Sequence, residues 1–292
     1  MKKDFNKGLL LTSLGSFWWG FIGVIYFESV SHIGHVELVV HRCLWTAVML
    51  LLTTTFLSKW HVFLEIISNK KNLIGLFASG FLIFINWAVW IYAVASERII
   101  DASFGYFIMP IISVLLGYIF FKEKLNRKRI FSILLVFISI IILIFFNLKS
   151  LPWVGLIVAL SWAFYNLVRK KINIDTDVGL LIESLYIFPF ALVAFYFIAK
   201  NGFNDFNLLN PAFSLFLILA GPMTVIPLFL YVRGVELIGL GPTGMIFYIT
   251  PTLQFVLGYF YYNEDFSLIK FLSFIIIWIA VIIYLKDLYE TN

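Results

Sequence analysis

The stretch YFIMPIISVLLGYIFFKEKL around Pro110 returns as FYITPTLQFVLGYFYYNEDF around Pro251. Pro110 and Pro251, Leu116 and Leu257, Gly117 and Gly258, Tyr118 and Tyr259, and Glu123 and Glu264 are each 141 residues apart. Both copies are apolar runs long enough to cross a bilayer. If each copy belongs to a unit with an odd number of spans, the two units enter the membrane in opposite directions. Inverted repeats of this kind build many secondary transporters.

The chain is 62% hydrophobic and 13% charged, and no soluble interior hides that much apolar surface. A spanning helix needs about 20 residues. Ten apolar runs satisfy this, at 8–27, 36–57, 73–95, 101–121, 129–147, 152–169, 178–199, 212–234, 240–262 and 268–285. They are continuous, without the alternation a barrel strand needs, so helices are expected. The expected fold is an all-α polytopic membrane protein, its ten transmembrane helices arranged as two inverted five-helix repeats. The repeats are residues 1–147 and 152–285, hinged at Asn147 to Pro152, and a cytoplasmic tail follows at 286–292.

Basic residues test the span count. One set of loops carries sixteen Lys and Arg; the other carries four, Arg98, Lys149, Lys200 and Lys270. The positive-inside rule then places both termini in the cytoplasm. The net charge of +5 reflects orientation, not nucleic-acid binding. Met1 to Lys7 precedes an apolar run as in a signal peptide. The run Gly8 to Phe27 is long enough to span and lacks a small-x-small cleavage site, so it reads as the first span. Weaker echoes accompany the repeat: Gly80 with Gly221, Val94 with Val235, Trp18 with Trp162, and Glu37 with Glu183.

Several residues are polar where the surroundings are apolar. Arg42 lies about two turns into the second span, where a guanidinium costs up to about 2.5–3.5 kcal/mol to insert. Such a group suits capture of a carboxylate, or it forms a structural ion pair or snorkels to the surface. Glu37 and His41 are i and i+4 on one helix face, a candidate pair for proton coupling or an anchor for the helix mouth. Glu183, roughly aligned with Glu37 in the other half, is a further coupling candidate or shares the same structural role, and His41 is also a candidate ligand contact. Span eight contains GPMTVIP, whose Pro222 and Pro227 leave the carbonyls of Ile218 and Met223 without their helical donors. A broken helix at that depth faces protein or a polar cavity. The position matching Pro227 in span three is Asn86. Pro110 and Pro251 act likewise on Tyr106 and Phe247. With Gly117 and Gly258, they mark helices able to slide and close opposite ends of a cavity. Trp19, Trp90, Tyr106, Trp162, Tyr165 and Tyr248 are deep rings able to stack on a ligand, as are Trp18 and Trp87. Asn166 and Gln254 add amides. Trp60 and Trp153 sit at span ends, as interface anchors do.

The stretches HVELVVHRCLW, INWAVWIYAV and SFGYFIMPIISVLLGYIFFKEKL resemble the EamA-type drug/metabolite transporters, the RarD subgroup in particular. The resemblance covers nearly the whole chain. It implies two inverted five-helix repeats around a central cavity, lined by spans one, three, four, six and nine, that moves small organic metabolites, often outward.

No G-x-x-x-x-G-K-[ST] motif supports ATP use. Four histidines, two of them (His32, His35) in one short external loop, are too few for a membrane metal enzyme, and Cys43 alone makes no disulfide or thiolate site. No filter signature suggests a channel. The sequence therefore reads as a non-enzymatic transporter of a bacterial cytoplasmic membrane. Its expected partners are the lipid bilayer, a small-molecule substrate and a candidate coupling proton, with no nucleic acid, no metal and no cofactor. An amino acid or related organic anion is the first substrate expected, because a carboxylate satisfies Arg42. The alternatives are a broad exporter of aromatic or cationic drugs, and a membrane sensor or assembly module that does not transport.

Overall fold

The computed structural model describes residues 2–30, 32–95, 99–147, 153–207, 209–261 and 268–291. Glu264, Arg98, Lys149 and Pro152 lie outside these residues, as does most of the hinge, and Gly258 is placed only as helix backbone. The described residues form helices and connecting turns, with no strand among them. In order they are α1 (Lys2–Phe17), a π-helical turn (Trp18–Ile22), α2 (Gly23–Ser29), α3 (His35–Phe56), α4 (Trp60–Ser68), α5 (Lys70–Ala95), α6 (Ile99–Phe121) and α7 (Arg127–Asn147). Then come α8 (Trp153–Ile172), α9 (Thr176–Lys200), α10 (Pro211–Ile218), α11 (Ala220–Ile238), α12 (Leu240–Ile246), α13 (Ile249–Phe260) and α14 (Leu268–Thr291).

Among the described residues seven helical segments are long and apolar enough to cross a membrane, and Gly105–Phe121 adds a shorter apolar helix. α8 is not one of the seven: it ends in Arg169, Lys170 and Lys171. Nor is the run 240–262, which breaks at Phe247 and Tyr248 into two short helices. The chain is thus a multi-pass helical membrane protein. Trp60–Ser68, expected to be loop, folds as a helix because Phe63, Ile66 and Ile67 pack on α5 and α9 around Leu76, Val178 and Ile182.

The helices pair across the middle of the chain. α1 packs on α11, α5 on α8, α6 on α8 and α12, α3 on α9 and α11, and α7 on α14. Exchanging the first five apolar runs with the last five maps this pattern onto itself: α1 with α11 becomes α8 with α5, and α3 with α11 becomes α9 with α5. The Tyr248 hydroxyl donates to the Phe107 carbonyl at 2.7 Å.

Two sets of polar contacts mark the two ends of the bundle. At the end bearing the termini, Arg129 Nε meets Asp287 at 2.9 Å. Lys59 bridges Asp177 at 2.7 Å and Asp175 at 3.0 Å. Burial works against the Lys59 charge, but those carboxylates outweigh it and hold the ammonium above the usual lysine value. At the far end, Glu37 Oε1 accepts from the backbone N–H of Asp205 at 2.8 Å and of Phe206 at 3.3 Å. Tyr26 donates to the Phe216 carbonyl.

Candidate functional site

A cavity of about 330 Å³ opens between α1–α2, α3, α5, α6, α8, α11 and α12–α13. It runs from Trp162 and Phe247 at mid-bundle to the exposed Glu28 near the end of α2. The π-helical turn carries Trp19 into it. The same turn sets Gly20 against α13, where a Cβ would stand 2.8 Å from the Thr250 carbonyl oxygen. The Thr250 hydroxyl donates to the Ser16 carbonyl at 2.9 Å, locking the contact.

Arg42 projects from α3 into this space. Its Nε donates to the Thr224 hydroxyl at 3.0 Å. Its guanidinium carbon lies 4.4 Å from the Trp87 ring centroid and 5.2 Å from that of Phe27. Among the described residues no carboxylate comes within ion-pair distance of it. A cation–π contact contributes about 0.5–2 kcal/mol and a hydrogen bond to a charged group about 1.5–3 kcal/mol. Together these offset the insertion cost of the guanidinium but leave its two Nη groups without an acceptor.

Eight of the ligand-contact candidates singled out in the sequence line the cavity together: Trp19, Arg42, Asn86, Trp87, Trp90, Tyr106, Trp162 and Gln254. Asn86 gives both Nδ2 hydrogens to α8, to the Val158 carbonyl at 2.9 Å and Ser161 at 3.1 Å. Rings of Trp19, Trp162, Tyr231 and Phe247 pack together, edge on face or tilted, at 5.1–6.4 Å between centroids.

Five expected ligand-contacting residues, Trp18 among them, are not in the cavity lining. His41 is buried beside the cavity; Trp45 Nε1 donates to its Nδ1 at 3.2 Å, so Nε2 carries the proton and donates to Glu37 at 3.2 Å. With Glu37 holding residues 205 and 206, the pair ties the loop before α10 to α3. Tyr165 points away, its hydroxyl on Glu183 at 3.2 Å. Asn166 turns back to the Trp162 carbonyl at 2.9 Å. Tyr248 is spent on Phe107, and the adjacent Phe247 lines the wall instead.

The proline and glycine expectations are also redistributed. Span eight does break, but at Leu219, between α10 and α11, rather than at its centre; Pro222 falls in the first turn of α11 and Pro227 lies inside that helix. Thr224 and Leu228 of α11 face the cavity. Pro110 sits inside an unbroken α6. The break before Pro251 leaves the Phe247 carbonyl bonded to the Thr250 N–H at 2.9 Å, not free. Gly117 lies against Glu123, whose Oε2 occupies the space a Cβ there would need.

Glu123 is the residue sequence reasoning passed over. After α6 the chain reverses through Lys122, at φ 53°, with the Glu123 N–H on the Gly117 carbonyl at 3.1 Å. Its carboxylate then accepts from the N–H groups of Leu240 at 2.8 Å and Gly241 at 2.9 Å, the start of α12. Gly239, at φ 97°, makes room for it. Nearby, Lys170 donates to the Val235 carbonyl at 3.0 Å and Thr176 to Glu236 at 2.8 Å. This seam lies between the cavity and the end that bears the termini. The signal of Glu123 in the sequence was its place in the repeated motif, six residues after Gly117; only the fold supplies α12 as its partner.

Among the described residues, apolar helices enclose an aromatic cavity into which Arg42 projects without an ion-pair partner, the architecture of a multi-pass helical membrane protein with an internal cavity. The EamA-like transporter family model matches the chain twice, over residues 6–145 and 150–286. "Uncharacterized transporter YojE" of Bacillus subtilis is 34% identical, covering 96% of this chain and 93% of its own. "Protein RarD" of Escherichia coli is 31% identical, over 99% and 97%. "Chloramphenicol-sensitive protein RarD" of Pseudomonas aeruginosa is 22% identical, over 88% and 87%. A solved crystal structure superposes with a TM-score of 0.71 at 13% identity, over 95% of this chain and 96% of that one, a likeness of fold. The chain belongs to the EamA-like transporter family and is similar to its RarD proteins over nearly its whole length.

Proposed function

We propose that the protein is a secondary transporter of a bacterial cytoplasmic membrane, with ten spans in two inverted five-helix repeats and both termini in the cytoplasm. It moves a small amphipathic metabolite, an amino acid or related organic anion, by alternating access, as an exporter or exchanger. The observation that carries this reading is Arg42: a guanidinium inside an aromatic cavity that, among the described residues, forms no ion pair. A substrate carboxylate is the ligand that completes its fork. The aromatic walls supply apolar surface, and Thr224, Asn86 and Gln254 supply polar edges. Packing that survives exchange of the two halves supports the inverted repeat. The cavity reaches toward Glu28, while the Glu123 seam closes the opposite end, which suits one limit of an alternating cycle.

The aromatic walls and the Glu28 carboxylate also favour a second reading, export of aromatic or cationic drugs. Counterflow in liposomes separates the two. L-Phenylalanine is expected to exchange, and Arg42→Ala to abolish that exchange. Flux of tetraphenylphosphonium without flux of the amino acid would select the drug reading. Binding of either without any flux would select a sensor.

A further inference from the structure

A second, much smaller space lies behind the cavity wall. It is about 20 Å³, enough for about one water molecule. Trp87 and Leu228 line both spaces; Cys43, Thr46, Glu183 and Ser184 line the inner one. Thr46 Oγ1 is buried there without a hydrogen-bond partner. Buried hydroxyls are rarely left so, and an ordered water is the usual remedy.

Glu183 is 3% exposed. Its carboxylate accepts from the hydroxyls of Ser79 and of Tyr165. Hydroxyls donate to a carboxylate and, once rotated, accept from a carboxylic acid, so this shell serves either protonation state. The guanidinium of Arg169 stands off at 3.6 Å. Its Nε and Nη1 have no hydrogen-bond partner, while Nη2 donates to the Thr176 carbonyl at 3.0 Å. Thr176 in turn bonds Glu236 across the seam that closes the end bearing the termini.

We propose that Glu183 is a proton-binding site, reached from the cavity through the chamber behind Trp87 and Leu228, and that its charge state sets the closure of that seam. A hydronium proton entering from the cavity passes by way of the chamber water to the carboxylate, giving a carboxylic acid and leaving water behind. Arg169 then loses the carboxylate it faces at 3.6 Å and turns toward Glu236. The groups facing Glu183 are Ser79 of α5, Cys43 and Thr46 of α3, and Tyr165 and Arg169 of α8. Glu236 of α11 bears on it through Thr176, and Lys59, Asp175 and Asp177 lie at the start of its own helix.

The site itself is tested without any substrate. Infrared difference spectra of the full-length protein in vesicles, taken between acid and alkaline pH, should show a carboxylic C=O band that Glu183→Gln removes and Glu37→Gln leaves. Absence of such a band overturns the proposal. Alkylating Cys43, the chain's single cysteine, fills the chamber and should slow hydrogen–deuterium exchange of that band by about tenfold, roughly one extra barrier of 1.36 kcal/mol; an unchanged rate overturns the path. The coupling arm rests on the transport reading. With L-phenylalanine as probe, Glu183→Gln should keep exchange and lose accumulation driven by a pH gradient, and normal accumulation would overturn the coupling. Wild-type vesicles that never move L-phenylalanine would defeat the transport reading, while the infrared arms still decide the proton site.

Discussion

The Tyr248 hydroxyl donates to the carbonyl of Phe107, and these two residues are 141 positions apart, the spacing of the repeat itself. Each is therefore the counterpart of the other, and their bond lies where α6 and α12–α13 cross. Under the proposed inverted repeat and alternating access, a contact between equivalent positions belongs to the axis relating the halves, so it need not change when the two ends of the cavity exchange roles. Tyr248→Phe removes one buried bond. It should lower thermal stability by about 0.5–1.5 kcal/mol and leave the ratio of inward to outward flux unchanged, as measured by thermal inactivation and by paired flux assays.

Glu123 carries the opposite expectation, because its contact lies toward the end of the bundle that bears the termini. Glu123→Ala leaves the first N–H groups of α12 without an acceptor, at a cost of about 1–3 kcal/mol. In a Cys43→Ser background, Phe247→Cys should then react faster with an impermeant thiol reagent applied from the side of the termini. Unchanged labelling from that side would show that the carboxylate does not hold the seam shut.

Gly117 and Glu123 should act as one unit. A methyl group on Gly117 would occupy the place of Glu123 Oε2, pushing the carboxylate off α12. Gly117→Ala and Glu123→Ala should each weaken the seam, and the double variant should be little worse than either. A double-mutant cycle on labelling rate should report coupling of about 0.5–3 kcal/mol; simple additivity would disconnect the two.

Lys122 occupies the left-handed region, where a β-carbon costs roughly 1–2 kcal/mol. Its side chain is exposed enough to dispense with. Lys122→Gly should raise the denaturation midpoint while the Glu123 contact, read by the same labelling assay, stays intact.

Glu37 and His41 should prove structural. Glu37→Gln weakens the grip on the backbone of Asp205 and Phe206 and should expose the loop before α10 to protease. L-Phenylalanine exchange should persist at reduced protein stability. Loss of pH dependence on this substitution would instead return the pair to proton coupling.

Much of the architecture was legible because a bilayer imposes it: continuous apolar runs fold as helices whatever their neighbours. The breaks were less so. Prolines at 222 and 251 marked the two interrupted stretches, but where each helix actually stops depends on which carbonyl finds a replacement donor, as Phe247 does in Thr250. The π-helical turn left no mark that residue type reveals. The cavity residues were half legible for a related reason. A charge such as Arg42 in an apolar run announces itself, whereas a ring does not say which way it faces. Tyr165, Asn166 and Tyr248 had the right chemistry, but Glu183, the Trp162 carbonyl and Phe107 claimed their polar atoms first.

The π-helical turn at Trp18–Ile22 holds one residue more than an α-helix would wind into that length. Deleting a single residue there would relax the segment into regular coil spacing and swing everything before it by about 100° against everything after. Trp19 would leave the cavity, Gly20 would no longer admit α13, and α1 would present the wrong flank to α11. The first transmembrane stretch is thus two rods joined by a phase shift, and its length is as tightly specified as its composition.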